Sequence, residues 1–240
     1  MATNGRQVNG APLTMALPKG RLTDDAFAHL AAAGFSPPLF ANGGRKLVLD
    51  GADGRMRYIL VKPADVPVFV EYGAADLGIA GLDVVREAER DVYEPLSLPF
   101  GRCRLVVAGR DDRAYQSLHL ERSPRVATKF PRLTETYFRK RGLAPEIIVM
   151  SGSVELAPLV GLADLIVDLV QTGSTLFENG LSELRVILES QAILIANRAS
   201  YRLRPAEMRG VIDALAAVPT PGILGDSGNP IEKPEARVCP

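Results

Sequence analysis

The sequence predicts an α/β protein with two lobes and mostly parallel sheets. Short apolar runs with strand propensity alternate along the chain with segments of helical periodicity, which is typical of βαβ units. The alternation restarts after four charged residues, Arg110-Asp111-Asp112-Arg113, which indicates a surface crossing into a second lobe. The 240 residues, 47% of them hydrophobic, are enough for one large or two modest domains with a real core.

The first part of the chain supplies the elements of the first predicted lobe. Apolar runs predict its strands, and apolar residues spaced three or four apart predict its helices. Pro63 opens one helix, in a position where its missing N–H costs nothing. In chain order we predict strand 13–17, helix 23–33, strands 46–50 and 56–62, a helix from 63 to near 73, strand 77–80, helix 82–88, and strands 92–98 and 103–108.

The second part repeats the pattern and then returns to the first lobe. We predict strand 125–128, helix 133–141, strand 146–150, helix 154–160, strand 165–170, a long strand 185–196 and a last helix 204–217. The residues after this helix are rich in Pro and Gly and predict a tail without a core. The predicted lobes are therefore 1–110, completed by about 190–217, and 111–189, with a tail at 218–240.

Composition excludes several classes of function. The 28 Lys and Arg balance the 28 Asp and Glu, so no chain-wide field favours nucleic acid or an anionic membrane. No apolar stretch approaches the about 18 residues of a membrane span, and the first ten residues resemble no secretory signal, so we expect a cytoplasmic protein. The two cysteines, Cys103 and Cys239, and the two histidines, His29 and His119, form neither a disulfide framework nor a zinc motif.

The most informative segment runs from Asp168 to Leu176. A largely apolar strand carries an acid near its end and continues into the turn Thr172-Gly173-Ser174-Thr175, which begins a helix. Backbone N–H groups and the helix dipole make such a turn suited to a phosphate monoester, and the acid suits sugar hydroxyls or a hydrated Mg²⁺. No Lys follows the glycine, so this is not a Walker A loop. The alternative is an ordinary junction in which Thr172 or Ser174 is an N-cap.

A second turn of this kind is Ser151-Gly152-Ser153-Val154-Glu155. Taken alone, Glu155 would simply complement a helix N-terminus. Together with Asp168 on the adjacent βα unit, it predicts a shared polyol or magnesium site.

Basic residues accompany the strands of the first lobe. Lys19 and Arg21 follow the first strand directly, and Arg45 and Lys62 lie beside later strands. Ligands of open α/β sheets bind beyond the carboxyl ends of the strands, so these cations are candidates for a polyphosphate in a cleft. Each cation alone would be an ordinary surface charge.

Together these segments resemble the ATP phosphoribosyltransferase family, the catalytic protein of the first step of histidine biosynthesis. The resemblance runs from residue 13 to about 206 in the right order, and the block from Ser151 to Leu176 is highly specific. It is carried by residues 13–22, 45–47, 76–81, 127–131, 151–158, 161–164 and 168–176.

The resemblance implies a fold and a reaction. The fold would be two-lobed and of the type II periplasmic-binding-protein kind, with the active site in the cleft between the lobes. The reaction would transfer the phosphoribosyl group of 5-phosphoribosyl-1-pyrophosphate (PRPP) to N1 of ATP, releasing pyrophosphate. It would require Mg²⁺ as cofactor, held mainly by substrate phosphates and ribose.

Site residues follow from the resemblance position by position. Asp168 and the stretch from Thr172 through Gly173, Ser174 and Thr175 to Leu176 match the loop that holds the 5-phosphate and ribose of PRPP, and Glu155 matches a ribose-side acid. Lys19, Arg21 and Arg45 match cations that meet pyrophosphate or ATP phosphates. Lys62 stands where many relatives carry Arg, which keeps the charge but loses the planar fork.

Length implies partners in the same way. The residues after position 217 leave no room for the regulatory domain of long-form relatives, so the chain resembles the short form. That form implies a homodimer core and a separate regulatory subunit similar to histidyl-tRNA synthetase, joined in a hetero-octamer. Two alternatives stay open: a non-enzymatic solute-binding protein of the same fold, and a phosphoribosyltransferase for another base.

Overall fold

Eleven strands in two sheets organise the residues that the computed structural model describes, which are 11–36, 47–110 and 123–219. In chain order the strands are β1 Leu13–Pro18, β2 Val48–Asp50, β3 Met56–Val61, β4 Leu77–Gly81, β5 Tyr93–Ser97, β6 Cys103–Gly109, β7 Arg125–Thr128, β8 Glu146–Val149, β9 Leu165–Val170, β10 Ser182–Ser190 and β11 Ala192–Ala196.

Helices cover the sheets between the strands. They are α1 Leu22–Ala32, α2 Val66–Glu71 (after a 3-10 turn at Pro63–Asp65), α3 Leu82–Ala88, α4 Pro131–Arg139, α5 Leu156–Leu159, α6 Ser174–Glu178, α7 Arg198–Leu203 and α8 Pro205–Ala216. Among the described residues, no helix is long and apolar enough to cross a membrane.

Each sheet has a core on both faces. The first sheet has the order β2-β3-β1-β4-β11-β5, and the second has the order β10-β6-β9-β7-β8. Successive side chains of a strand point to opposite faces, so Met15 of β1 packs in one cluster and Ala16 in another. Leu105 and Val106 of β6 divide in the same way in the second sheet. The predicted two-lobed α/β fold is confirmed.

The sheets are mixed, which corrects the expectation of mostly parallel pairing. Strands joined by helices do pair in parallel, as β3, β1 and β4 do in the first sheet and β9, β7 and β8 in the second. The chain passes from the first sheet to the second between β5 and β6, and back between β10 and β11. Every pair that these four strands form is antiparallel. Each sheet therefore has a parallel part built from strands joined by helices and an antiparallel part where the chain changes sheet.

The chain crosses between the sheets at residues 98–102 and again at Gln191. The predicted single strand 185–196 is wrong: β10 ends at Ser190 in the second sheet, and β11 begins at Ala192 in the first. The strand β6, which the sequence placed in the first lobe, pairs in the second sheet with β9 and β10.

The last predicted helix, 204–217, is confirmed as α8, and a short helix that was not predicted, α7, precedes it. Asn197 caps the short helix α7 by accepting a hydrogen bond from the N–H of Ser200 at 2.9 Å, and Pro205 begins α8. The fixed φ of proline suits the first position of a helix, so Pro205 marks the start of the second one. Two of the predictions, Arg45 and the tail from residue 220, lie outside the described residues.

Candidate active site

A cavity of about 320 Å³ lies at the carboxyl end of β9, where the second sheet meets the crossing strands. A larger cavity of about 530 Å³ lies elsewhere along the crossing strands, but its described lining includes none of the predicted site residues. The smaller cavity is therefore the candidate active site. Its lining consists of Arg21, Cys103, Glu155, Asp168, Leu169, Val170, Gln171, Thr172, Gly173, Thr175 and Leu176.

Asp168 is the strand acid of this cavity and is of intermediate burial. It lies near the end of β9 with its side chain 13% exposed, and one carboxylate oxygen accepts a hydrogen bond from the N–H of Leu169 at 2.9 Å. The ammonium of Lys129 lies 3.8 Å from the other oxygen. Burial raises the pKa of Asp168, with a smaller contribution from the negative charge of Glu155, while the Leu169 N–H and Lys129 lower it.

Lys129 was not among the predicted site residues. It directly follows β7, which pairs in parallel with β9, so both strands end at the same edge of the sheet. The hydroxyl of Thr128 donates to the carbonyl of Val167 at 2.8 Å and accepts from the N–H of Phe130 at 2.9 Å, which fixes the end of β7 against β9. A lysine directly after a strand was the signal that could have found it.

The loop after β9 turns sharply at Gly173. This residue has φ +89° and precedes the first residue of α6. The hydroxyls of Thr172 and Ser174 lie 3.1 Å apart on the exposed side of the turn. No side chain caps α6, so the alternative in which Thr172 or Ser174 is an ordinary N-cap is not what the structure shows. The first N–H groups of a helix have no partner within it, and they remain as donors for a ligand.

Two further residues, which follow strands of the second sheet, line the cavity. Leu176 is buried and packs into the core beneath the loop, which anchors the turn. Glu155 stands just before α5, and its side chain makes no capping hydrogen bond to that helix. The preceding Ser153 has φ +49°, an uncommon conformation for a residue other than glycine.

Of the predicted cations, the structure places Arg21 in the cavity. Its guanidinium lies 3.7 Å from the sulfur of Cys103, a buried lining residue that sequence reasoning had not assigned to the site. Lys19 and Lys62 are exposed and follow neighbouring strands: the N–H of Lys19 donates to the carbonyl of Val61 at 2.8 Å. These two lysines lie at the carboxyl edge of the first sheet and outside the cavity lining.

The described lining of the cavity combines two carboxylates with the guanidinium of Arg21, and the ammonium of Lys129 lies beside Asp168. The carboxylates of Glu155 and Asp168 can accept hydrogen bonds from a polyol or share a divalent cation, while Arg21 and Lys129 can neutralise phosphate oxygens. A turn with free N–H donors beside a partly buried acid fits a phosphorylated sugar.

Comparison with known proteins points to the same chemistry. The family model for ATP phosphoribosyltransferase matches residues 62–217. An ATP phosphoribosyltransferase of Sorangium cellulosum is 50% identical over 206 residues, which are 86% of this chain and 95% of that protein. One from Geobacillus kaustophilus is 52% identical over 206 residues, 86% of this chain and 98% of that protein. These lengths agree with the predicted short form.

Solved structures agree with the sequence relatives. The ATP phosphoribosyl transferase (HisG:HisZ) complex from Thermotoga maritima contains a chain that matches with a TM-score of 0.74 and 35% identity, over 86% of this chain and 98% of that one. The periplasmic aliphatic sulphonate binding protein SsuA from Escherichia coli matches with a TM-score of 0.55 at 12% identity, over 87% of this chain and 72% of that one, a likeness of fold alone. The family match and the identity over almost the whole length of these relatives show that the chain belongs to the ATP phosphoribosyltransferase family.

Proposed function

We propose that this chain transfers the 5-phosphoribosyl group of PRPP to N1 of ATP, giving N1-(5-phosphoribosyl)-ATP and pyrophosphate, the first step of histidine biosynthesis. The observation that carries the proposal is the partly buried carboxylate of Asp168 beside the Gly173 turn. An acid for the ribose and a phosphate cradle lie next to each other there, in a cavity that Arg21 also lines. Relatives at about half identity support this function over solute binding and over transfer to another base.

In the proposed reaction, the lone pair of adenine N1 forms a bond to C1′ as the bond from C1′ to the pyrophosphate oxygen breaks. The electrons of that bond leave on pyrophosphate, and positive charge develops on the ribose. Asp168 and Glu155 would bind the ribose hydroxyls, and the turn from Thr172 to Thr175 would bind the 5-phosphate. Holding both substrates in line and stabilising the departing charge supplies the catalysis.

Cations of the first sheet complete the proposed site. Arg21, in the cavity, would meet the departing pyrophosphate, and Lys19 and Lys62 at the edge of the sheet would meet ATP phosphates. Arg45 is proposed for the same role from the sequence alone. The nucleophilic nitrogen carries no proton at the moment of attack, so no general base is required. His29 packs away from the cavity, with its ring 3.1 Å from the carbonyl of Leu215.

Phosphoribosyltransferases generally use a divalent metal, and we propose Mg²⁺ here. Oxygen ligands are those that Mg²⁺ prefers, and the carboxylates of Asp168 and Glu155 fit a metal that arrives with the substrate. Within the described residues, no group of three or more acids, histidines or cysteines could hold a metal by itself. The ion would neutralise charge on the pyrophosphate group.

The assembly is also a proposal. Because the solved relative is a HisG:HisZ complex, we propose that this chain binds a regulatory subunit similar to HisZ and to histidyl-tRNA synthetase, around a homodimer core, in a hetero-octamer. We place the lobe boundaries at the two crossings, residues 98–102 and 191, and expect the protein to act in the cytoplasm.

The test is the growth of product absorbance on mixing ATP, PRPP and Mg²⁺, with and without the regulatory partner. Asp168→Ala should lower kcat by about a hundredfold, as loss of a preorganised polar contact does. Asp164→Ala is the matched control, because Asp164 lies at the opposite end of β9 and accepts hydrogen bonds from Arg125. No product under either condition, or wild-type turnover by Asp168→Ala, would contradict the proposal.

A further inference from the structure

A buried acid with no role in the proposed reaction lies just behind the cavity. Asp83, the second residue of α3, is 3% exposed. One of its oxygens accepts a hydrogen bond from the hydroxyl of Ser190 at 2.5 Å, and its own N–H donates to the same hydroxyl at 3.1 Å. In the part of the chain that the structure describes, no basic group forms an ion pair with it within 4.0 Å.

The backbone beside Asp83 is adapted to hold the carboxylate in place. A Cβ on Gly81 would lie 2.4 Å from the Asp83 carboxylate oxygen, a distance that no real side chain tolerates. The carboxylate therefore folds over the end of β4, where only glycine leaves room for it. The missing Cβ of Gly81 and the hydrogen bond from Ser190 together hold the carboxylate in this place.

From Asp83 a chain of contacts leads to the cavity. Ser190 pairs with Cys103 across β10 and β6, at the two places where the chain passes between sheets. The sulfur of Cys103 is in turn 3.7 Å from the guanidinium of Arg21. We call these four residues the crossing cluster. Its electrostatic coupling extends from end to end, because the positive charge of Arg21 lowers the pKa of Asp83 against the larger, opposing effect of burial.

We propose that Asp83 is a positioning residue for the reaction: through Ser190 and Cys103, its buried carboxylate holds the guanidinium of Arg21 in the cavity, ready for the departing pyrophosphate. The inference rests on the proposed function. A long arginine side chain loses considerable rotamer entropy when it is held in one conformation. The attraction of the buried Asp83 carboxylate, which water screens poorly, offsets part of this loss before the substrate binds. Groups oriented in advance need no reorganisation at the moment of reaction.

A double-mutant cycle tests whether Asp83 acts through Arg21. Asp83→Asn keeps the shape and removes the charge, and we expect it to lower kcat/KM for PRPP about tenfold, while Arg21→Ala lowers it about a hundredfold. In the double variant the effect of Asp83→Asn should disappear, to within about twofold of Arg21→Ala alone. A combined loss of about a thousandfold would show independent effects and overturn the proposal.

A matched control removes an exposed acid near the same helix. Glu94→Gln breaks the bidentate pair with Arg86 at 2.5 and 2.9 Å without touching the crossing cluster. It should leave kcat/KM within about twofold of the wild type, because exposed ion pairs contribute little. A tenfold loss in this control would mean that α3 responds to any lost charge, and it would overturn the assignment to Asp83.

A second variant covers the case in which Asp83→Asn does not fold. Ser190→Ala keeps the carboxylate but removes the hydroxyl that connects it to Cys103, and we expect kcat/KM for PRPP to fall about threefold, with a cooperative thermal transition. Wild-type activity in Ser190→Ala would overturn the proposal. Failure of both variants to fold would also overturn it, since the carboxylate would then serve the fold alone.

A thiol measurement separates this inference from the proposed function. In a Cys239→Ala background, the alkylation rate of Cys103 by iodoacetamide needs no substrate. The charge of Asp83 raises the pKa of the Cys103 thiol and that of Arg21 lowers it, so Asp83→Asn should speed alkylation and Arg21→Ala should slow it. Unchanged rates would overturn the coupling even if the enzyme is active. Changed rates without product formation would leave the cluster standing and count against the proposed function.

Discussion

Substituting Gly173 by Ala tests the phosphate-binding turn directly. At φ +89° a residue with a side chain is strained, and an L-residue in the left-handed region costs about 1–2 kcal/mol. The new Cβ would also lie 3.3 Å from a carboxylate oxygen of Glu183, closer than most real contacts. That carboxylate is held by Arg104 at 2.6 and 2.8 Å, so the strain must move either the turn or this ion pair.

The ion pair is the smaller obstacle of the two. Its side chains are about 30% exposed, and such pairs contribute about 0–1 kcal/mol, so Glu183 can give way at little cost. The larger effect is on the turn itself, because relaxing φ redirects the N–H groups that begin α6. We therefore expect Gly173→Ala to weaken PRPP binding about tenfold, the equivalent of about 1.4 kcal/mol.

Gly180→Ala is the matched control. Gly180 follows α6 with φ +64°, and no atom lies within 4 Å of the position of its Cβ. Both substitutions should lower the free energy of unfolding by about 1 kcal/mol in urea melts, but only Gly173→Ala should raise the Kd for PRPP in a titration. Equal PRPP affinity in the two variants would refute a phosphate-binding role for the Gly173 turn.

Two further predictions concern stability. Burial raises the pKa of Asp168 above its unfolded value, so the free energy of unfolding falls as pH rises from the unfolded pKa through the folded one. Without ligand, Asp168→Asn should therefore raise the thermal midpoint at pH 7, and the gain should vanish below about pH 4. An equal gain at every pH would contradict this reasoning. Glu87 accepts hydrogen bonds from the N–H groups of Arg132 and Leu133, at the start of α4, at 2.9 and 3.0 Å. Glu87→Ala should therefore lower the free energy of unfolding by about 1 kcal/mol in urea melts. Glu89→Ala is the control and should lower it by under about 0.5 kcal/mol, because the pair of Glu89 with Arg132 is exposed.

The parts of the site that the sequence predicted are formed by residues that follow one another along the chain. Asp168, the Gly173 turn and the start of α6 follow one another without interruption, so an apolar run with an acid near its end and a small-residue turn fixed their relative placement. Arg21 was found for the same reason, because it directly follows a strand whose carboxyl end had to face the cleft.

The parts that sequence missed depend on strands far apart in the chain. Lys129 reaches Asp168 only because β7 lies beside β9, and Cys103 enters the cavity only because β6 pairs in the second sheet. The position of Lys129 directly after a strand marks it as a candidate, but the local pattern around neither residue indicates which strand lies beside it. Such contacts follow from sheet order, which periodicity does not encode.

The division of the predicted strand 185–196 was missed for a different physical reason. Apolar runs lie on both sides of Gln191, and Ser190 without a neighbouring glycine or proline is a weak turn signal, so the sequence shows no clear break between β10 and β11. At this point the hydrogen-bonding partner of the chain changes from β6 to β4 and β5. Local propensity is the same before and after it.

The position of the crossing explains why the candidate site combines opposite charges. The two sheets contribute different groups at their carboxyl edges: the exposed cations Lys19 and Lys62 on the first, and the acids Glu155 and Asp168, with Lys129 beside Asp168, on the second. A phosphoribosyl transfer needs both, because positive charge develops on the ribose while negative charge departs on pyrophosphate. Arg21 lies where the two edges meet, and its guanidinium is 3.7 Å from the sulfur of Cys103, the first residue of β6. It therefore faces the acids across the cavity only in this arrangement of the two sheets.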